Sequence, residues 1–283
     1  MRVLRCFAIG WSLALASGCA AHTANGPTSG GPARIVTLVP SFADDVYALG
    51  AGAQLVAVSA FTDAPQAKTL PRVADAGSVD AEAILALRPT LVIGIPAQVR
   101  LTEPLRRARL RVALLGDDTF EQIFNNLAII GALTNHAREA RATIGRLRRE
   151  TAALQARAAS FRRHPALFLV LGSGPIWTAG AGSYISTLIE LAGGTNAAND
   201  LHAAYGEYSA EALLRRQPDL LVADPATHLG SLLDREPWRS LRAVRAHHLY
   251  YVNPDLIERP GPNYNAGIAW LLERIAPLAT SAQ

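Results

Sequence analysis

Cysteine is nearly absent from this chain of 283 residues, which has only Cys6 and Cys19. Once Cys6 leaves with an N-terminal leader and Cys19 is acylated, as read below, no thiol remains for a disulfide or a thiolate metal site. Stability must then come from packing. Charge is scarce too, at 18% of residues, and the net charge of +4 drops to +2 without Arg2 and Arg5. That is too little for a polyanion binder and speaks against nucleic acid as a partner. The arginines of 138–163 alternate with Ala, Leu and Glu at helical spacing, the pattern of a solvated helix face. Beyond the N-terminus no stretch is long and apolar enough to span a bilayer. Catalytic signatures are missing as well: there is no Walker loop, no His-Glu-x-x-His and no glycine fingerprint after the first strand. In "LGSGP", Leu171 stands where a Gly-x-Ser-x-Gly elbow needs its first glycine. The histidines at 136, 164, 202, 228, 247 and 248 are scattered, and the adjacent pair precedes a strand-like run in which neighbouring side chains diverge. No metal set is expected from them.

The first 22 residues, "MRVLRCFAIGWSLALASGCAAH", hold two arginines, an apolar run of leader length and the small residues Ala16, Ser17 and Gly18 before Cys19. Residues 1–19 therefore read as a signal for export. Cleavage after a small residue is one outcome; the other is lipidation of Cys19, since the stretch resembles a bacterial lipobox in which Ala16 replaces the usual Leu. Residues 20–33, rich in Ala, Gly, Ser, Thr and Pro, read as a flexible tether between a membrane surface and the folded body.

From Arg34 short apolar runs alternate with helical ones: "RIVTLV", "ADDVYALG", "QLVAVSA", a helix over 80–88, "TLVIGI", a helix near 100–108 and "RVALLG". A second series runs through "ALFLVLG", "YISTLIELAGG", a helix over 209–217, "DLLVAD", a helical stretch near 229–242, "HLYYVN" and a last helix to about Ala279. Strands separated by helices, with little hairpin signal, predict an α/β fold with parallel sheets. The expected organisation is an N-terminal lobe over 34–118, a helical segment over 119–163 and a C-terminal lobe over 164–283. Within the segment, His136 to Arg163 contains no Pro and one Gly, which predicts one long inter-lobe helix. A ligand cleft is expected between the lobes, at loops after the carboxyl ends of strands.

One phrase occurs twice: "DAEAILALRPTLVIGIP" over 80–96 and "SAEALLRRQPDLLVADP" over 209–225. Asp80 and Ser209 suit N-caps, Glu82 and Glu211 fall in the first turn, and Pro89 and Pro218 stop each helix before an apolar strand. Each lobe thus carries the same helix-turn-strand unit. For the two glutamates, compensation of the helix dipole is one reading and a shared binding role is the other.

"TLVPSFADDVYALG", "SAFTDAP", both copies of the phrase, "WTAGAGSYISTLIELAGGTNAAN" and "ERPGP" together resemble the helical-backbone periplasmic binding proteins that deliver cobalamin, ferric siderophores and haem to ABC importers. The resemblance spans Arg34 to about Leu278 and is strongest toward the cobalamin-binding members. It implies a non-enzymatic monomer without a resident cofactor that captures a bulky ring-shaped or chelated molecule. Glu82 and Glu211 match the two surface glutamates that dock on arginine clusters of a dimeric permease. Ser41, Phe42, Phe61, Asp63, Trp177, Tyr205, Arg259 and Asn263 fall in the expected cleft loops. Phe61, Trp177 and Tyr205 match positions where cobalamin-binding members place aromatic side chains suited to a corrin, or else pack within their lobes. Asn263 stands where the family often has a second arginine, which weighs against a strongly anionic ferric catecholate. The tyrosine expected for haem before the first repeated helix is replaced in the region of Gly77 and Ser78. Two readings from other classes remain: an exported α/β enzyme using "TAGAGS" as a phosphate-binding turn, and an exported scaffold or adhesin.

Overall fold

The computed structural model describes residues 33–75 and 77–280. The leader (1–19), lipidation of Cys19 and the tether through residue 32 lie outside the described residues. The first half runs β1 (Ile35–Thr37), α1 (Pro40–Ala48), β2 (Leu55–Ser59), β3 (Arg72–Ala74), α2 (Ala81–Ala86), β4 (Leu91–Gly94), α3 (Glu103–Arg107) and β5 (Val112–Leu114). Two helices follow, α4 (Phe120–Leu133) and α5 (Ala137–Ala158). Next come β6 (Ala166–Val170), β7 (Gly172–Ser173), β8 (Ile176–Ala179), α6 (Tyr184–Leu191), β9 (Thr195–Asn196), β10 (Tyr205–Glu207) and α7 (Ala210–Arg216). The chain ends with β11 (Leu220–Ala223), α8 (Arg242–Arg245), β12 (Leu249–Tyr251), α9 (Pro254–Ile257) and α10 (Tyr264–Thr280).

Two parallel sheets result, in the orders β3-β2-β1-β4-β5 and β12-β11-β6-β9. Read outward from its first strand, each sheet has the same plan, because β2-β1-β4-β5 corresponds to β9-β6-β11-β12. The repeated phrase forms α2 with β4 and α7 with β11, equivalent positions in the two halves. Its helices are capped alike: the Ala83 N–H donates to Asp80 Oδ1 at 2.9 Å and the Ala212 N–H to Ser209 Oγ at 3.0 Å. Each helix stops at a residue in the left-handed region, Arg88 (φ 48°) and Gln217 (φ 44°), directly before the proline that bars a further turn.

The halves share a core. One buried cluster joins Phe42 of α1 and Ile93 of the first sheet to Ile123 and Leu147 of the helical segment and to Leu167, Ile189 and Ile268 of the second half. Each half adds a smaller cluster on the outer face of its own sheet. At the centre Phe120, Phe124 and Tyr264 meet edge-on, and the Tyr264 hydroxyl lies 2.7 Å from Thr151 Oγ1, tying α4, α5 and α10 together. The α4–α5 pair is so close that a Cβ on Gly131 would lie 2.5 Å from the Ala140 methyl.

The structure corrects several sequence expectations. The long helix ends at Ala158 rather than Arg163, giving about 33 Å at 1.5 Å per residue; the chain turns there so that Phe161 packs against Gly193, which has φ +85°. Residues 229–242 form short 3₁₀ turns, with α8 only beginning at Arg242. A small antiparallel sheet, β10-β8-β7, was not foreseen. "PSFA" is not a loop but the first turn of α1, with Pro40 at its start. Phe42, expected to touch ligand, consequently points into the shared core with no exposed surface. Phe42→Ala is expected to lower stability by about 3–5 kcal/mol in urea unfolding.

Candidate functional site

Loops from the carboxyl ends of strands in both halves converge on Arg259, which is only 16% exposed. Its Nη1 donates to Asp63 Oδ1 at 2.8 Å, after β2, and to Asp44 Oδ2 at 3.4 Å, on α1. Its Nη2 donates to the Phe61 carbonyl at 3.3 Å and pairs with Asp255 Oδ1, on α9, at 2.5 Å. One guanidinium therefore ties three carboxylates and a backbone oxygen across the two halves. Beside it lies a cavity of about 570 Å³, within the range of small-molecule sites, lined from both halves by Asp44, Tyr47, Asp63, Asp255, Arg259 and Asn263 among others.

Two more of the expected ligand residues lie on the antiparallel ribbon. Trp177 pairs opposite Glu207 and Tyr205 opposite Ala179, so Trp177, Glu207 and Tyr205 share one face of the ribbon. The other face is buried, where Thr178 Oγ1 donates to the Leu169 carbonyl at 2.6 Å. Tyr184, on α6, bonds to both halves: its N–H donates to the Asp118 carbonyl of the first at 2.8 Å and its hydroxyl to the Arg259 carbonyl of the second at 3.3 Å. Phe61 and Trp177 are among the most exposed large apolar side chains described, at 59% and 41%. Exposed aromatic rings offer apolar faces to a ligand.

The structure thus places Asp63, Arg259 and Asn263 on the cavity, Phe61 next to it, and Trp177 with Tyr205 on the ribbon face. Ser41 is buried, its Cα and carbonyl facing Gly261. Glu82 and Glu211 are exposed in the first turns of α2 and α7. Because each helix runs antiparallel to the strand that follows it, both glutamates sit at the sheet end where the cleft loops emerge. Sequence reasoning missed a set of acids: Asp44, Asp117, Asp255 and Glu258. The run "GDDT" directly after a strand was the available signal for Asp117. Tyr251, 44% exposed at the end of β12, was missed as well; it lines a second hollow of about 380 Å³ with His228 and Ser231. Among the described residues no group of three or more His, Cys, Asp or Glu is arranged to hold a metal ion, and no helix is long and apolar enough to cross a membrane.

Burial dominates the electrostatics of the missed acids. It raises Asp44 to about 6 against the pull of Arg259, raises Asp117 to about 6 with help from Asp118, and raises Glu258 to about 7 with help from Asp224 and Asp255. Asp63 moves the other way because its exposed carboxylate takes the shorter bond from Arg259. The Tyr205 phenol is pushed upward by burial and by the charges of Asp117, Asp118 and Glu258, so it remains protonated. A carboxyl raised in the folded state favours the fold while protonated. That contribution is complete below the ordinary values of 3.8 and 4.5 and is lost as pH rises through 6 to 7. Thermal melts are therefore expected to show higher stability at pH 5 than at pH 8. A flat profile across that window would refute the burial assigned to these acids.

The sequence profile described as Periplasmic binding protein matches residues 35–256. The chain belongs to this family. It is 26% identical over 255 residues to the uncharacterised ABC transporter substrate-binding lipoprotein YvrC of Bacillus subtilis, covering 87% of this chain and 81% of that one. Among solved structures, the periplasmic vitamin B12 binding protein BtuF of Vibrio cholerae superposes with a TM-score of 0.73 at 28% identity, covering 88% of this chain and 98% of the other. A periplasmic haem-binding protein of Pseudomonas aeruginosa superposes with a TM-score of 0.75 at 30% identity, covering 89% and 96%. This binding protein is accordingly the exported substrate-binding component of an ABC importer, with a small-molecule ligand and a membrane permease as partners, and it is not an enzyme.

Proposed function

We propose that this binding protein captures a corrinoid between its two halves and delivers it to the permease. The observation carrying this reading is the cavity lined from both halves by Arg259 and its carboxylates, with the exposed Phe61 ring beside it, which suits a ring with apolar faces and a polar rim. The likeness to vitamin B12-binding relatives supports it. The identity to a haem-binding protein favours haem as the second reading, while Gly77 and Ser78 in place of a tyrosine weigh against it. A ferric hydroxamate is the remaining alternative. Calorimetric titration of the full-length protein with cyanocobalamin, a ferric hydroxamate and haemin side by side tests the assignment; tighter binding of either rival would overturn it. Phe61→Ala and Trp177→Ala are each expected to weaken corrinoid binding about tenfold, the equivalent of one aromatic contact. Their melting points should stay near the parent value, because both rings are exposed.

Docking on the permease is assigned to Glu82 and Glu211, whose equivalent places in the two halves suit two arginine clusters of a dimeric permease. Lipidation of Cys19, with residues 20–33 as tether, completes the proposal; metabolic labelling with a fatty acid and a Cys19→Ser control tests it. The protein is read as a monomer.

A further inference from the structure

We infer that the exposed face of α5 binds the surface of an anionic phospholipid bilayer. The contact is independent of the ligand and of the lipid anchor read above. The net charge of residues 33–283 is only +2, but it is unevenly spread. Residues 138–163 hold eight arginines and two glutamates, a net +6, so the remainder of residues 33–283 carries −4. At 100° per residue, Arg138, Arg141, Arg148 and Arg149 fall within a sector of about 100° on the solvent side of the helix, away from buried Ala140, Leu147 and Thr151. All four are exposed. The two acids lie to one flank, and Glu150 is already taken by Arg146 at 2.9 Å. Among the described residues no carboxylate pairs with Arg138, Arg141 or Arg149, because the ion pairs of this segment are those of Arg146 with Glu150 and Arg163 with Asp219.

The partner follows from charge and reach. Free guanidiniums offer forked donors that match phosphate oxygens, and the exposed residues beyond them on α5, Ala152, Ala153 and Ala156, are too small to hold a flat surface away. A plane of phosphates attracts this side of the body and repels the net negative remainder, which fixes an orientation. With Cys19 acylated, the fourteen residues up to Ala33 keep the body within about 50 Å of a bilayer, so a contact too weak to hold a free protein still forms. No residue of α5 lines the cavity beside Arg259, and Glu82 and Glu211 stand on other helices. Lipid contact therefore leaves the ligand in place.

The test uses the full chain carrying Cys19→Ser, so that no acyl group contributes, and any contribution of the leader is common to parent and variants. Co-sedimentation at low salt compares vesicles of phosphatidylcholine alone with vesicles of phosphatidylcholine and phosphatidylglycerol in equal parts. The parent is expected to bind the mixed vesicles about 100-fold more tightly than the neutral ones, and high salt should abolish the difference. The triple variant Arg138→Gln, Arg141→Gln, Arg149→Gln is expected to lose most of that preference, whereas the matching lysine triple keeps it. Melting points should stay at the parent value in both triples, because the three side chains are exposed and unpaired. Equal binding to the two kinds of vesicle, or a glutamine triple that binds like the parent, would overturn the inference. Capture by a soluble polyphosphate without binding to the mixed vesicles would overturn the bilayer as partner.

Discussion

Cells expressing Glu82→Ala with Glu211→Ala are expected to take up no ligand, although the purified variant binds it with unchanged affinity. The two carboxylates sit in equivalent first turns, exposed, at the end of each sheet from which the cleft loops emerge. Neither lines the cavity beside Arg259. On the docking proposal, their loss removes the contact with the permease without touching the ligand. Paired charges of this kind fix orientation and encounter rate, and removing a charge that pairs with an arginine cluster at an interface costs about 2–5 kcal/mol per site. Two sites lost together exceed what a transient complex can spare, whereas either single variant should retain partial transport. The effect on folding is small by comparison. Each helix loses one carboxylate near its N-terminus, worth about 0.3–1 kcal/mol, and keeps its Asp80 or Ser209 cap. Glu→Gln at both positions separates charge from helix propensity and should fail in transport as the alanine pair does. Normal uptake by the double variant would end the docking assignment.

Arg259→Ala is the second large effect. The guanidinium is mostly shielded from water and holds Asp44 and Asp63 of the first half against Asp255 of the second. Removing it leaves Asp44 and Asp255 partly buried without their cation, and breaking such a pair costs about 3 kcal/mol. The contribution of Asp63, which is well exposed, is minor. Urea unfolding should show a lower midpoint at neutral pH. The deficit should narrow on acidification, because protonated Asp44 and Asp255 no longer need a counter-charge. Phe61 also loses the bond at its carbonyl, so ligand affinity should fall alongside stability. Arg259→Lys restores one charge but cannot reach all four acceptors and is expected to fall between the two. An unchanged unfolding midpoint in the alanine variant would show that this ion cluster is solvated and adds nothing.

Much of the architecture was legible because its signals act over a few residues. Apolar runs such as "TLVIGI" and "DLLVAD" stopped by proline, and Asp80 or Ser209 placed one residue before a helix, require no knowledge of the rest of the chain. The site was less legible. Arg259 could be named from "ERPGP", but its partners Asp44 and Asp63 lie 215 and 196 residues away. Phe42 could be named from "PSFA", but the choice between cleft and core depends on where α1 begins and which way its first turn faces.

The sequence alone determined the α/β alternation, the doubling of one helix-turn-strand unit and the matched pair of exposed glutamates, since all three follow from local period, capping and chain-stopping residues. Tertiary structure alone decided that the two halves share one core through α4, α5 and α10, that the long helix stops where Phe161 meets Gly193, and that the cleft is acidic with its arginine already engaged. These depend on contacts between residues far apart in the chain and on burial, which moves a carboxyl such as Glu258 to about 7; neither leaves a periodic trace along the chain.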